Sequence, residues 1–135
     1  MNDSMKEFNW NARVYYEDTD AGGVVYHARY LAFYERARTE MLRDLGISQH
    51  KLLQENIAFV VKKMDINYHL PARLDDLLTV TCKVDQIRKA SIFFKQTIIN
   101  QDKQVVSSAN VIIACVDISK MKPCGLPKSL VLEFI

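Results

Sequence analysis

Val14-Tyr15-Tyr16-Glu17-Asp18-Thr19-Asp20-Ala21-Gly22-Gly23-Val24-Val25-Tyr26-His27 starts as a strand, turns into a glycine loop rich in carboxylates and runs into a long helix. Glu17, Asp18 and Asp20 crowd together just ahead of Gly22-Gly23. Like charges on a tight turn repel, so a compensating positive pole is expected nearby. A helix start supplies one, because its free N–H groups and its dipole favour negative charge. A carboxylate facing such N–H groups is also the outline of a hydrolytic site, with one base and one oxyanion hole.

Downstream, Arg29 to Leu45 reads as the one long helix. Tyr30, Phe33, Tyr34, Ala37, Met41 and Leu45 recur at helical spacing and form an apolar face. Arg36 with Glu40, and Glu35 with Arg38, are spaced for ion pairs on its outer side. Gly46 is placed to stop the helix, and Ser48 to cap a short second one ending at Gln54 or Glu55.

Upstream, residues 1–9 read as a loose arm and 10–16 as a first strand, with Tyr15 and Tyr16 on opposite faces. Four more strands follow: Ala58 to Leu70, Leu77 to Ile87, Ser91 to Ile99 and Val105 to Val116. Their inward faces are expected to carry Leu78, Val80, Cys82 and Val84, then Ile92, Phe94 and Ile98, then Val105, Ala109, Val111, Ile113 and Cys115. The last three strands are joined by short turns, as antiparallel neighbours are. One helix and an antiparallel sheet of five strands make an α+β domain spanning 1–135. If the helix lies across the concave face, the sheet wraps it and the result is a hotdog fold. The segments around Val105-Val106 and Val111 to Val116 are nearly apolar on both faces, which points to a second covered face and hence a homo-oligomer, a dimer or larger assembly.

Composition narrows the function. The chain has 135 residues, 49% apolar and 25% charged, as an ordinary globular domain has. A net charge of +2 with no basic run gives no case for nucleic acid. The three cysteines are odd in number and scattered, which fits a reducing compartment. The N-terminus does not read as a signal peptide, and no apolar run approaches the roughly 20 residues of a transmembrane segment. The expectation is a cytoplasmic protein. His27, His50 and His69 are far apart and no Cys-x-x-Cys occurs, so no metal site is read. Neither a dinucleotide glycine fingerprint nor a Gly-x-Ser-x-Gly elbow is present.

The segment from Tyr15 to Tyr30 resembles the signature of the 4-hydroxybenzoyl-CoA thioesterase family. Its continuation Phe33-Tyr34-Glu35-Arg36-Ala37-Arg38-Thr39-Glu40 is similar to the YbgC-type branch, acyl-CoA thioesterases linked to the Tol-Pal system. The likeness runs on through Pro71-Ala72-Arg73-Leu74-Asp75-Asp76 and Met121-Lys122-Pro123. It implies a hotdog fold, assembly into dimers and often tetramers, and thioester hydrolysis without metal or prosthetic group. It implies Asp20 as the catalytic carboxylate and the backbone N–H of His27 as the oxyanion donor. It also associates the side chains of Tyr16 and His27 with activity.

Each residue also has a plainer reading. Asp20 acts as general base or as nucleophile through a mixed anhydride, or it is an Asx-turn residue. Asp18 reads as a loop or capping residue and Glu17 as a solvated charge. His27 contributes its ring as acid or orienting group, or only its backbone. Tyr16 reads as a core strand tyrosine, with catalytic support as the other option. Gly22, Gly23 and Val24 form the stretch where a substrate can approach the backbone closely. Glu35 lies too far from His27 along one helix for an intrachain pair, and an ion pair with Arg38 is the better reading. Arg88-Lys89-Ala90-Ser91 is either a solvated hairpin or a basic turn that docks the phosphates of coenzyme A, with Lys120, Lys122 and Lys128 adding charge. The expected function is hydrolysis of an acyl-CoA thioester. The alternative is a binding or scaffold protein for acyl carrier protein or envelope-division components.

Overall fold

In the computed structural model, which describes residues 7–134, α1 spans Arg29–Asp44 and buries Tyr30, Phe33, Tyr34, Ala37 and Met41. The 3.6-residue period puts these side chains on one stripe, and that stripe packs on β1 (Glu7–Arg13) and β3 (Leu77–Ile87). Gly46, at φ +85°, ends the helix: its N–H donates to Arg43 C=O at 2.9 Å, and Ile47 N–H to Leu42 C=O at 2.8 Å. Ser48 then caps α2 (Gln49–Gln54) by accepting from Lys51 N–H at 3.3 Å.

The remaining strands are β2 (Ile57–Tyr68), β4 (Ser91–Ile99), β5 (Val105–Asp117) and the two-residue β6 (Lys122–Pro123). The main sheet runs in the order β1-β3-β4-β5-β2, antiparallel throughout, with β6 beside β5. This is the hotdog fold, a curled five-stranded sheet with a helix against it. Leu78, Val80, Cys82 and Val84 line the inner face of β3 with no exposure, and Ile92, Phe94 and Ile98 are buried on β4. Each large aliphatic side chain buried this way contributes roughly 1.5–3 kcal/mol. α3 (Lys128–Leu132) seats Leu130 on the core behind Pro127.

Four details depart from the sequence-based expectations. The first strand covers Glu7–Arg13, so Glu7 to Asn9 pair with Lys83 to Thr81 rather than forming an arm; residues 1–6 lie outside the described residues. Tyr15 and Tyr16 lie beyond that strand and are 62% and 83% exposed, so Tyr16 is not a core tyrosine. On β5, a register shift opposite Ile98 and Ile99 turns Val105 outward and puts Val106 inside. On α1, Glu40 pairs with Arg43 at 2.6 Å rather than with Arg36, and Arg38 is buried instead of pairing with Glu35.

Candidate active site

The carboxylate loop is held by its own backbone. Tyr15 N–H donates to Asp18 Oδ2 at 2.8 Å, which bends the chain into a 3-10 turn over Tyr16–Asp18. Asp18 is buried, and its Oδ1 faces Arg29 Nε at 3.2 Å. Arg29 also donates to Glu17 C=O at 3.3 Å, so one cation on the first turn of α1 ties the loop to the helix. Asp18 is thus the capping residue of this turn, and Glu17 is exposed.

Thr19 and Val25 then form a bridge around the glycine tip. Asp20 N–H donates to Val24 C=O at 2.9 Å and Gly23 N–H to Asp20 C=O at 3.1 Å. Gly23 takes φ +78°, a conformation that costs other residues strain. The Asp20 side chain makes an Asx-turn, Oδ1 accepting from Gly22 N–H at 2.8 Å. Its Oδ2 has no protein partner among the described residues, and the side chain faces solvent. One oxygen is therefore fixed and the other has no partner among the described residues.

The helix begins at Arg29, four residues past Val25. Its N-cap is Ala28, which has no side-chain oxygen to satisfy the first N–H groups. Among the described residues, His27 N–H and Ala28 N–H have no acceptor. His27 C=O accepts from Tyr68 O–H at 3.0 Å, and the Tyr68 ring meets Tyr30 edge-on at 5.2 Å. Tyr30 O–H in turn accepts from Ala72 N–H at 3.1 Å. Burial raises the Tyr30 pKa above its ordinary value. The His27 ring is exposed and rests beside Tyr26 at 4.6 Å. It lines a hollow of about 310 Å³ with Tyr30, Tyr68 and His69. Tyr68 was legible only as one of the alternating apolar positions of its strand, and nothing local marked it as a support for the helix start.

A larger groove of about 700 Å³ opens from Ala28 along the helix, between α1 and the sheet, with Phe59, Met64, Phe94 and Ile113 on its apolar wall. At the far end of β3 lies a third hollow, of about 500 Å³, ringed by Arg88, Lys89 and Lys128 over Leu126 and Val131. Arg88 N–H donates to Ser91 C=O at 2.9 Å, and its guanidinium stacks over Phe93 at 5.2 Å.

The fold thus sorts the expected site residues into two groups. Asp20, Gly22, Gly23, Val24 and His27 gather where the chain enters β3, through Val24 bridged to Arg73 and Val25 N–H donating to Ala72 C=O at 2.8 Å. Tyr16 stands exposed on the same loop. Arg88, Lys89 and Ser91 sit past the other end of β3, an 11-residue strand. Within one chain the two groups are separated by about 30 Å of strand. Among the described residues, no cluster of His, Cys, Asp or Glu is arranged to hold a metal ion.

Residues 14–134 match the thioesterase-like superfamily. The chain is 56% identical over 127 residues to the acyl-CoA thioester hydrolase YbgC of Escherichia coli O157:H7, covering 94% of this chain and 95% of that one. It is 52% identical over 128 residues to the acyl-CoA thioesterase YbgC of Haemophilus influenzae, covering 94% and 93%. Among solved structures it superposes on a 1,4-dihydroxy-2-naphthoyl-CoA thioesterase from Synechocystis with a TM-score of 0.90 at 22% identity, over 96% of each chain. The chain belongs to the thioesterase-like superfamily and, within it, to the YbgC branch of acyl-CoA thioester hydrolases.

Proposed function

We propose that the protein hydrolyses an acyl-CoA thioester to the free acid and coenzyme A, with Asp20 as the working carboxylate and the start of α1 as the oxyanion hole. The observation that carries this reading is the uncapped helix start: two free N–H groups, at His27 and Ala28, with Ala28 on the mouth of an apolar groove. A thioester carbonyl placed there has its developing negative charge met by backbone donors and by the helix dipole. The free Oδ2 of Asp20 is the base for water, or the nucleophile itself, at the adjoining loop. His27 contributes through its backbone, and its exposed ring is free to orient the thioester. The exposed Tyr16 lies on the same loop, where its hydroxyl is open to substrate.

The acyl chain occupies the groove beside α1. The groove is open along β2, an edge strand that leaves Val60 and Val61 exposed. A second copy of the chain along this edge closes it, so the working form is a homodimer or a multiple of it. The cations Arg88, Lys89 and Lys128 suit the phosphates of coenzyme A, and the same cations would draw an acidic acyl carrier protein.

The test is thiol release from a series of acyl-CoAs by the parent and by Asp20→Asn. The asparagine oxygen can still accept from Gly22 N–H, so the loop keeps its shape while the base is lost. Turnover is expected to fall by about 10²-fold or more. A variant within a few-fold of the parent would remove Asp20 from the mechanism.

A further inference from the structure

The groove beside α1 holds a buried cation that the hydrolysis itself does not use. Arg38 is only 6% exposed, yet it lines the groove together with Phe59, Met64, Phe94 and Ile113. Its Nη1 donates to Gln96 Oε1 at 3.0 Å, and Gln96 Nε2 donates to Tyr34 C=O at 3.1 Å. Gln96 is a neutral partner that is itself tethered to the helix backbone. The ion pairs among the described residues are Asp18–Arg29 and Glu40–Arg43, so Arg38 has no carboxylate in contact. Burial lowers its pKa, and the charges of Cys82 first and then Glu35 act in the opposite direction.

A guanidinium has five donors, and here one bond is made. Among the described residues, no fully buried side-chain nitrogen or oxygen lacks a partner. Nε and Nη2 of Arg38, which make no bond, are therefore not fully buried, and the space beside them is the groove. The lining also carries Glu35, whose charge acts on Arg38 without an ion-pair contact, and Gln49, whose Nε2 donates to Thr39 Oγ1 at 3.2 Å. A cation held out of water without a counter-ion is costly unless something anionic arrives to meet it.

We propose that Arg38 is a specificity residue, selecting acyl groups whose far end carries a carboxylate over plain alkyl chains of the same length. The proposal rests on the thioesterase reading above. Ala28, at the thioester end, and Arg38 are ten residues apart on one helix, about 15 Å along its axis. The arginine leans back toward the helix start and takes up part of that distance. The gap fits a chain of roughly six to eight carbons. The methylenes lie on Phe59, Met64 and Phe94, and the terminal carboxylate accepts from the free guanidinium edge. An alkyl terminus leaves the cation desolvated and unpaired, which is the arrangement that rejects a substrate lacking the expected polar group.

The experiment compares kcat/KM for length-matched pairs of CoA thioesters, adipyl against hexanoyl and suberyl against octanoyl, with the parent, Arg38→Met and Arg38→Lys. The parent is expected to favour the ω-carboxyl member by about tenfold or more. Arg38→Met should abolish that preference by lowering the ω-carboxyl value while sparing or raising the alkyl value, and Arg38→Lys should keep part of it. Equal values for both members in the parent overturn the proposal. So does a preference that survives in Arg38→Met, or a fall of both members by the same factor, which is what a purely structural role would give. Should Arg38→Met fail to fold, the parent's preference and its size in Arg38→Lys decide the matter. Hydrolysis of the alkyl esters without preference sinks the Arg38 assignment alone, whereas no hydrolysis of any ester sinks the thioesterase reading with it.

Discussion

Two aspartates two positions apart are held differently, and the difference is one of burial. Asp18 is 5% exposed and bonded on both oxygens, to Tyr15 N–H and to Arg29. Asp20 is exposed and bonded on one. Asp18→Asn keeps an acceptor for Tyr15 but leaves Arg29 without its charge partner, and is expected to cost about 1–3 kcal/mol. A urea midpoint measures that loss; the same measurement on Asp20→Asn should show a change within about 0.5 kcal/mol. Asp18→Asn as stable as the parent would mean that the ion pair is dispensable. The buried thiol of Cys82 gives a second residue-level expectation. Burial pushes its pKa up to about 12, while the unfolded chain ionises near 9.0. The folded state therefore keeps a proton that the unfolded state loses. Stability should be level below about pH 9 and fall as pH rises toward 12, by up to about 1.4 kcal/mol per unit for this group. Tyr34, raised in the same way, adds to the fall above pH 10. Urea melts between pH 8 and 11 should show a shallower decline for Cys82→Ala, and an unchanged slope would remove Cys82 as a cause.

At the scale of elements, the ends of α1 are asymmetric. Its C-terminus is closed by Gly46 in the left-handed region, with Ile47 N–H bonded back to Leu42 C=O. Its N-terminus is left uncapped at Ala28. Gly46→Ala is expected to cost about 1 kcal/mol, and Ser48→Ala about as much through loss of the α2 cap, both read as shifts in a urea midpoint. These elements were readable because their periods are clean, as in Leu78, Val80, Cys82 and Val84 on one face of β3. Reading failed where a side chain overrode a propensity. Tyr15 and Tyr16 look like strand residues, but the Asp18 carboxylate takes Tyr15 N–H and turns the chain. Arg38 looked like a surface partner for Glu35 because a charge beside an apolar stripe normally is one, and only Gln96 on a distant strand explains its burial. β6 and α3, of two and five residues, are too short to show a period. The loop from Glu17 to His27 showed its chemistry in its composition, whereas the role of Tyr68 depends on a contact 41 residues away in sequence.

For the whole molecule, the separation along β3 sets the problem. One chain has Asp20 at one end and Arg88 with Lys89 at the other, some 30 Å of strand apart. The sheet has edges at β1 and β2, and β2 is the longer, with 12 residues and an apolar pair at Val60 and Val61. Such an edge invites pairing with another copy. Antiparallel pairing of two β2 strands about a two-fold axis reverses one chain against the other, and it carries the basic turn of one protomer toward the Asp20 loop of its partner. Val60→Lys with Val61→Asp should then shift the species in solution toward monomer and lower kcat/KM together, as read by sedimentation and thiol release. The sharper test is complementation. On the proposed mechanism, Asp20→Asn lacks the base, and Arg88→Ala with Lys89→Ala lacks the phosphate anchor. If one substrate uses Asp20 from one protomer and the basic turn from its partner, a mixed dimer of the two variants carries one intact site and one doubly defective site. Equal mixing with exchange of subunits should restore activity to about a quarter of the parent level, since half the dimers are mixed and each has one of two sites. If both groups act from the same protomer, every site in the mixture has a defect, and the activity stays at the average of the two variants.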